Sequence, residues 1–256
     1  MSQKILHTVA IYPGRFHGFH TGHLESFKQL QKKFGKKNTY IVLSEKYEPG
    51  SDQWPFPAED RKQLLAAMGV DEDKIMILDS RDPYSKQEVL NKFDYDKETT
   101  LVVFGVADKD MGSKPRFTFG KTKSGKETHF QKYNDDIEND DKHPIGEHSF
   151  VFVTTTREFG KKDEFGEGMK GASEIRKKYK ESENDEERID ILKDAGYKSD
   201  VIDTVKEIFD RNLLDSVDLE KTKVKEHLRQ MIKSLINENQ EAAILHLKSY
   251  LIQKMN

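Results

Sequence analysis

The chain has no cysteine. That excludes a disulfide framework, a thiolate metal site and a cysteine nucleophile. It has no apolar run approaching the length of a membrane span, and residues 1–7 hold no signal-peptide core. It also lacks a basic excess: 43 Lys and Arg against 46 Asp and Glu give a formal net charge of -3. A general nucleic-acid binder normally carries surplus positive charge, so no nucleic-acid partner is expected, although a local basic pocket is not excluded. Apolar residues make up only 34% and charged ones 35%. At 256 residues there is still enough chain for a real core. The expectation is a soluble, cytoplasmic protein with no membrane partner.

One stretch gathers chemistry-bearing residues: Gly14-Arg15-Phe16-His17-Gly18-Phe19-His20-Thr21-Gly22-His23. Before it, residues 8–12 form a short run rich in β-formers, the pattern of a strand buried on both faces. After it, Leu24, Phe27 and Leu30 recur at helical spacing, followed by Lys32-Lys33 and Gly35 as a C-cap. The stretch is therefore a strand-to-helix loop with His20, Gly22 and His23 at the helix start. Helix N-termini offer backbone N–H groups without intrahelical partners and a partial positive charge, which suits phosphate. Imidazoles three residues apart face the same side of the first turn.

Further strands are read at residues 39–44, 74–79, 99–104 and 148–154, alternating with helices that open near Pro57 and Ser85. Solid apolar strands alternating with helices predict an α/β fold with a parallel five-stranded sheet covered by helices on both faces. Ligands in such sheets bind at strand carboxyl ends. Ser44, Arg81, Gly105 and Asp108 all lie at such ends and are candidates for binding a second substrate. Residues 111–147 form an insertion between strands four and five, read as a β-hairpin followed by an acidic run and expected to act as a lid or an oligomer contact. Residues 120–126 have Walker A spacing, but Glu127 replaces the magnesium-binding hydroxyl, so a charged hairpin tip is the better reading. Beyond residue 182 the pattern is helical, with apolar stripes at Val201, Val205, Ile208 and Phe209, at Val224, Leu228, Met231, Ile232 and Leu235, and at Ala243, Leu247, Tyr250 and Leu251. These stripes are candidate homo-oligomer contacts.

The His20-x-Gly22-His23 stretch resembles the H-x-G-H signature of the nucleotidylyltransferase superfamily. The longer G-R-F-x-x-F-H-x-G-H pattern is most similar to archaeal-type nicotinamide-mononucleotide adenylyltransferases and their bacterial and phage relatives, although His17-Gly18 stands where those usually carry Gln-Pro. Gly171-Ala172-Ser173-Glu174-Ile175-Arg176 resembles the family's second signature, I-S-x-T-x-x-R, with Gly171 in place of the first serine. The resemblance covers about residues 7–180. It implies a Rossmann-like nucleotidylyltransferase domain over residues 1–181, a helical C-terminal region over 182–256, and attack of a phosphorylated acceptor on the α-phosphate of a nucleoside triphosphate with loss of pyrophosphate. By the same resemblance His20, His23 and Arg176 are catalytic. Gly14, Arg15, Phe16, Gly22, Ser173 and Arg176 bind nucleotide, Ser173 capping its helix, and Arg61 joins the acceptor site. Magnesium is expected as the triphosphate's counter-ion, with no dedicated protein ligands. Cytidylyltransferases of the superfamily usually carry G-x-F-D, whereas this chain has Gly-Arg-Phe-His, which favours ATP, with nicotinamide mononucleotide as leading acceptor. The alternatives are phosphopantetheine as acceptor, CTP with a sugar- or alcohol-phosphate, or a non-catalytic nucleotide-binding or structural protein.

Overall fold

A computed structural model describes residues 3–80, 82–113, 115–155 and 169–214. Twelve elements follow the order β1 (His7–Gly14), α1 (Thr21–Phe34), β2 (Thr39–Ser44), α2 (Ala58–Ala67), β3 (Ile75–Leu78), α3 (Lys86–Phe93), β4 (Thr100–Ala107), β5 (Phe130–Lys132), β6 (Ser149–Thr154), α4 (Ala172–Glu181), α5 (Asp185–Ala195) and α6 (Ile202–Leu213). The strands form one sheet in the order β3-β2-β1-β4-β6-β5, with every pair parallel. The sequence expectation of five strands is corrected to six. The additional strand, β5, lies inside the insertion and is three residues long, too short to show a period. It docks on β6 in parallel, Gln131 opposite Phe150. The hairpin itself is narrow, with one antiparallel bridge, Lys121 to Glu127, closed over Gly125 at φ 82°.

Both faces of the sheet are covered. On one, Ala10, Ile41, Leu43 and Ile75 pack with Phe27 and Leu30 of α1 and Leu65 of α2. On the other, Val9, Ile11, Val42, Val102 and Phe104 pack with Val89 and Leu90 of α3. All eight residues of β4 are buried, as a central strand between two helical layers requires. The insertion is tied down by Lys86, whose buried ammonium donates to the carbonyls of Ile145 and His148.

The helices after the sheet share one core. Ile175 and Tyr179 of α4, Leu192 of α5 and Val205, Ile208 and Phe209 of α6 pack together with Phe56 and with Leu64 of α2. The Val201–Phe209 stripe thus faces α4 and α2, and residue 181 falls between two helices of this core. Asp60 of α2 accepts hydrogen bonds from Arg211 and Asn212 of α6. α5 was not singled out by its apolar pattern, but it carries its own punctuation: Asn184 caps its N-terminus through Glu187 N–H, and Gly196 ends it in the left-handed region. The stripes beginning at Val224 and Ala243 lie outside the described residues.

Phe209 has no exposed surface. Phe209→Ala should cost about 3–5 kcal/mol of unfolding free energy, the usual range for emptying a buried aromatic site. Urea denaturation checks this, and a loss below about 1 kcal/mol would show that α6 is not integral to the core.

Candidate active site

Where β1 ends, the chain must turn sharply into α1, and local residue chemistry makes the turn possible. Phe16 adopts φ 45°, a left-handed conformation uncommon for a residue with a side chain. This folds its ring back over Gly14, where a Cβ would lie 2.5 Å from the ring. Only glycine fits at 14. Gly18 takes φ 103° beside Ala172 of α4. His20 is the N-cap residue of α1, and its carbonyl receives the N–H groups of His23 and Leu24. The first turn contains no acidic residue, so no side chain of its own neutralises the helix end.

His23 sits in an aromatic box. Its ring stacks on His20 at 3.7 Å and on Phe19 at 5.4 Å, and meets Phe16 edge-on at 5.1 Å. Its Nδ1 is buried without a hydrogen-bond partner. Above these rings lies a cavity of about 400 Å³ lined by Gly14, Arg15, Phe16, His20, Gly22 and His23 from the β1–α1 loop and by Gly105, Val106 and Ala107 at the end of β4. β1 and β4 are adjacent, and the chain leaves them in opposite directions across the sheet. The cavity therefore opens at the point where strand order reverses. Among the described residues, Arg15, Lys109, Arg116 and Lys170 reach its wall against a single carboxylate, Asp110. In a chain of net negative charge, this is a local cationic funnel.

The imidazoles are held neutral. Burial, then the Lys109 charge, lowers His23 to about 3. Burial followed by the Arg61 and Arg176 charges lowers His17 to about 2. Burial and the neighbouring His23 push His20 well below the ordinary histidine value. Neutral rings stacked at van der Waals distance avoid mutual repulsion. An anion in the cavity would favour their charged forms.

Residues 11–128 match the family model described as Cytidylyltransferase-like. The resemblance to nucleotidylyltransferases holds. The chain is also similar to nicotinamide-nucleotide adenylyltransferase 1 of Sulfolobus acidocaldarius, 36% identical over 72 residues, which cover 27% of this chain and 40% of that protein. The chain thus spans well under half of the curated relative it matches. Among solved structures it is similar to a bifunctional NMN adenylyltransferase/ADP ribose pyrophosphatase from Francisella tularensis complexed with AMP and a manganese ion, at 16% identity and TM-score 0.48, covering 89% of this chain and 56% of that one. The Plasmodium falciparum nicotinic acid mononucleotide adenylyltransferase complexed with NaAD is similar at 16% identity and TM-score 0.46, covering 82% and 98%.

Within the cytidylyltransferase-like segment, the structure brings Gly14, Arg15, Phe16, His20, Gly22, His23 and Gly105 to one cavity. Other candidates are placed elsewhere. Arg61 is fully buried and donates to the carbonyls of Arg15 and Ser44, both at 2.7 Å. It is not open to a ligand: it ties the loop after β1 to the end of β2. The Ser44 hydroxyl is buried and does not line the cavity. Asp108 is exposed at the start of a 3-10 turn beside the cavity rather than in its wall. Arg81 lies outside the described residues. Arg176 is only 7% exposed, and its guanidinium donates to the carbonyls of His17 and Asp52. Ser173 does not cap α4; Gly171 is the N-cap residue, which puts Ser173 in the first turn and exposed. Replacement of the motif's first serine by Gly171 leaves that cap without a side chain.

The strand-end rule placed the Gly105–Asp110 segment at the site but singled out neither Lys109 nor Asp110, and sequence reasoning missed Tyr84, Arg116 and Lys170. Arg116 comes from the insertion and donates to the Tyr84 hydroxyl at 2.7 Å. No local pattern marks that long-range pairing.

The neutral imidazoles make stability depend on pH. Unfolded, each titrates near its ordinary value of about 6.5; folded, all three lie far lower. Below about pH 6.5 the unfolded chain binds protons that the folded one refuses. Stability from this source is therefore present above about 6.5 and lost as pH falls towards the folded values, roughly 1 kcal/mol per imidazole between about pH 7.5 and 5.5. Thermal midpoints without nucleotide should fall across that window, and His17→Gln should flatten the slope by about a third of the three-imidazole term. An unchanged slope in the variant would contradict the burial of a neutral His17.

Proposed function

We propose that this protein transfers AMP from ATP to the phosphate of a small acceptor, nicotinamide mononucleotide first among candidates, releasing pyrophosphate. One observation carries the reading: a helix N-terminus without acidic residues and two stacked neutral imidazoles form the floor of a cationic cavity at the sheet's switch point. Such a site suits a polyphosphate. No side-chain nucleophile is needed, because an acceptor phosphate oxygen can attack the α-phosphorus as the bond to the bridging oxygen of pyrophosphate breaks. Supporting this reading are the family match over residues 11–128 and the likeness to the Sulfolobus nicotinamide-nucleotide adenylyltransferase.

In this reading the loop N–H groups and Gly22 seat the triphosphate, Gly14 and Phe16 shape the nucleotide's entry, and Arg15 neutralises it. His20 and His23 each donate one ring N–H to phosphate oxygens, His23 to the α-phosphate as charge builds in the transition state. Arg176, with Ser173 beside it, holds the leaving pyrophosphate. That role requires the guanidinium to exchange the His17 and Asp52 carbonyls for phosphate oxygens. Gly105, Lys109 and Arg116 face the acceptor. A divalent metal, magnesium in this reading, would be held mainly by the triphosphate's own oxygens and water, with the Asp110 carboxylate of the cavity wall available to it, and would supply charge neutralisation for the triphosphate. Among the described residues no helix is long and apolar enough to cross a membrane, and the reading is of a cytoplasmic enzyme.

A matrix of ATP and CTP against nicotinamide mononucleotide, nicotinic acid mononucleotide and phosphopantetheine, read by pyrophosphate release, tests the activity. ATP with a pyridine mononucleotide should respond, and silence in every pair would overturn the proposal. With the responding pair, His23→Ala should lower turnover by roughly two to three powers of ten, as for loss of one transition-state donor, and change triphosphate affinity much less. Near-full turnover in that variant would remove His23 from the chemistry.

A further inference from the structure

The β1–α1 loop is held from outside its own domain of sequence. The phenol of Tyr197, in the turn after α5, donates to the Phe19 carbonyl at 2.8 Å across 178 residues of chain. The hydroxyl of Thr21 donates to the Ala195 carbonyl at 2.9 Å in that same turn. These two bonds bracket His20. The Phe19 carbonyl belongs to the planar peptide that joins Phe19 to His20, so fixing it fixes the direction in which His20 leaves the backbone. Thr21 fixes the following residue, the first of α1.

The turn has the rigidity such a role needs. Gly196 N–H bonds to Lys193 O at 2.9 Å and Tyr197 N–H to Leu192 O at 3.1 Å, so the turn is continuous with α5. Gly196 lies at φ 108°, and a Cβ there would sit 2.1 Å from the Thr21 hydroxyl oxygen. The loop and the turn approach so closely that no side chain fits between them. The Tyr197 ring is 3% exposed and belongs to the core shared by α2, α4, α5 and α6. Burial raises its phenol above the ordinary value, which keeps it a neutral donor.

We infer that Tyr197 is a positioning residue for the phosphate-binding loop, acting through the Phe19 carbonyl to set His20 and, through the stacked pair, His23. The term phosphate-binding rests on the function proposed above; the positioning of the two imidazoles does not. The helices after the sheet then do more than cover it. Whatever loosens α5 and α6 loosens the loop, and a ligand on the loop tightens those helices by the same coupling free energy.

The test uses Tyr197→Phe, which keeps the ring and removes the donor, beside Tyr179→Phe. Tyr179 is buried in the same core, but its hydroxyl donates to Asp210 of α6 at 2.7 Å and not to a carbonyl of the loop. Imidazole ring resonances, assigned with His20→Gln and His23→Gln, are compared in the full chain without nucleotide. The expected result is that His20 and His23 resonances move in Tyr197→Phe and stay in Tyr179→Phe, although both variants melt earlier. With the substrate pair that responds, turnover in Tyr197→Phe should fall roughly tenfold or more, the scale of a misplaced reacting group, while KM for triphosphate changes less than about threefold. Should Tyr197→Phe not fold, Thr21→Val removes the other bond and should move the same resonances. Unmoved resonances in the folded variant, or equal movement in Tyr179→Phe, would overturn the inference, as would moved resonances with unchanged turnover. If the wild-type protein releases no pyrophosphate from any pair, the enzymatic reading fails and the resonances alone still decide the positioning.

Discussion

The N-terminus of α1 is the constraint on which the rest depends. Its leading N–H groups and partial positive charge must be aimed at the switch point of the sheet to meet an anion there. That aim requires a buried β1, a loop that turns within a few residues, and a first helical turn free of carboxylates. Gly14 beneath the Phe16 ring and the left-handed Phe16 achieve the turn. Strained backbone of this kind persists only where surrounding contacts hold it. Here they include the Arg61 guanidinium on the Arg15 carbonyl and the packing of Phe16 with Tyr12 and Phe19.

The same geometry sets the electrostatics. Burial, helped by the charges of Arg61 and Arg176 at His17 and of Lys109 at His20 and His23, keeps the three imidazoles uncharged, which costs stability in acid and preserves the cavity as a site for someone else's charge. Arg15, Lys109 and Arg116 gather with the helix end at the cavity wall, where Asp110 is the carboxylate among the described residues. A polyphosphate would supply the missing negative charge. Preorganised donors of this type act without reorganisation during reaction.

The sheet, its parallel sense and its crossover were legible because strands buried on both faces read as solid apolar runs. The H-x-G-H loop was legible because glycines and histidines are packed into ten residues. β5 was not, since three residues carry no period, and its parallel docking depends on the insertion returning to the edge of β6. Arg61 was misplaced for a related reason. The resemblance put it in the acceptor site, and nothing local reveals that the Arg15 and Ser44 carbonyls, at the ends of β1 and β2, converge on it. Arg116 and Tyr197 were invisible because each meets its partner only after the fold has formed. Arg176 was found by its motif, but its present partners, the His17 and Asp52 carbonyls, belong to tertiary structure.

The central claim is that the β1–α1 loop and the start of α1 receive a triphosphate. A crystal structure of the chain with magnesium and α,β-methylene ATP tests it most directly, because the analogue cannot lose pyrophosphate. The account predicts phosphate density against the first-turn N–H groups of α1, with an α-phosphate oxygen within about 3 Å of a His23 ring nitrogen, ordinary hydrogen-bond reach. Nucleotide bound elsewhere, with the loop and both imidazoles untouched, would contradict it.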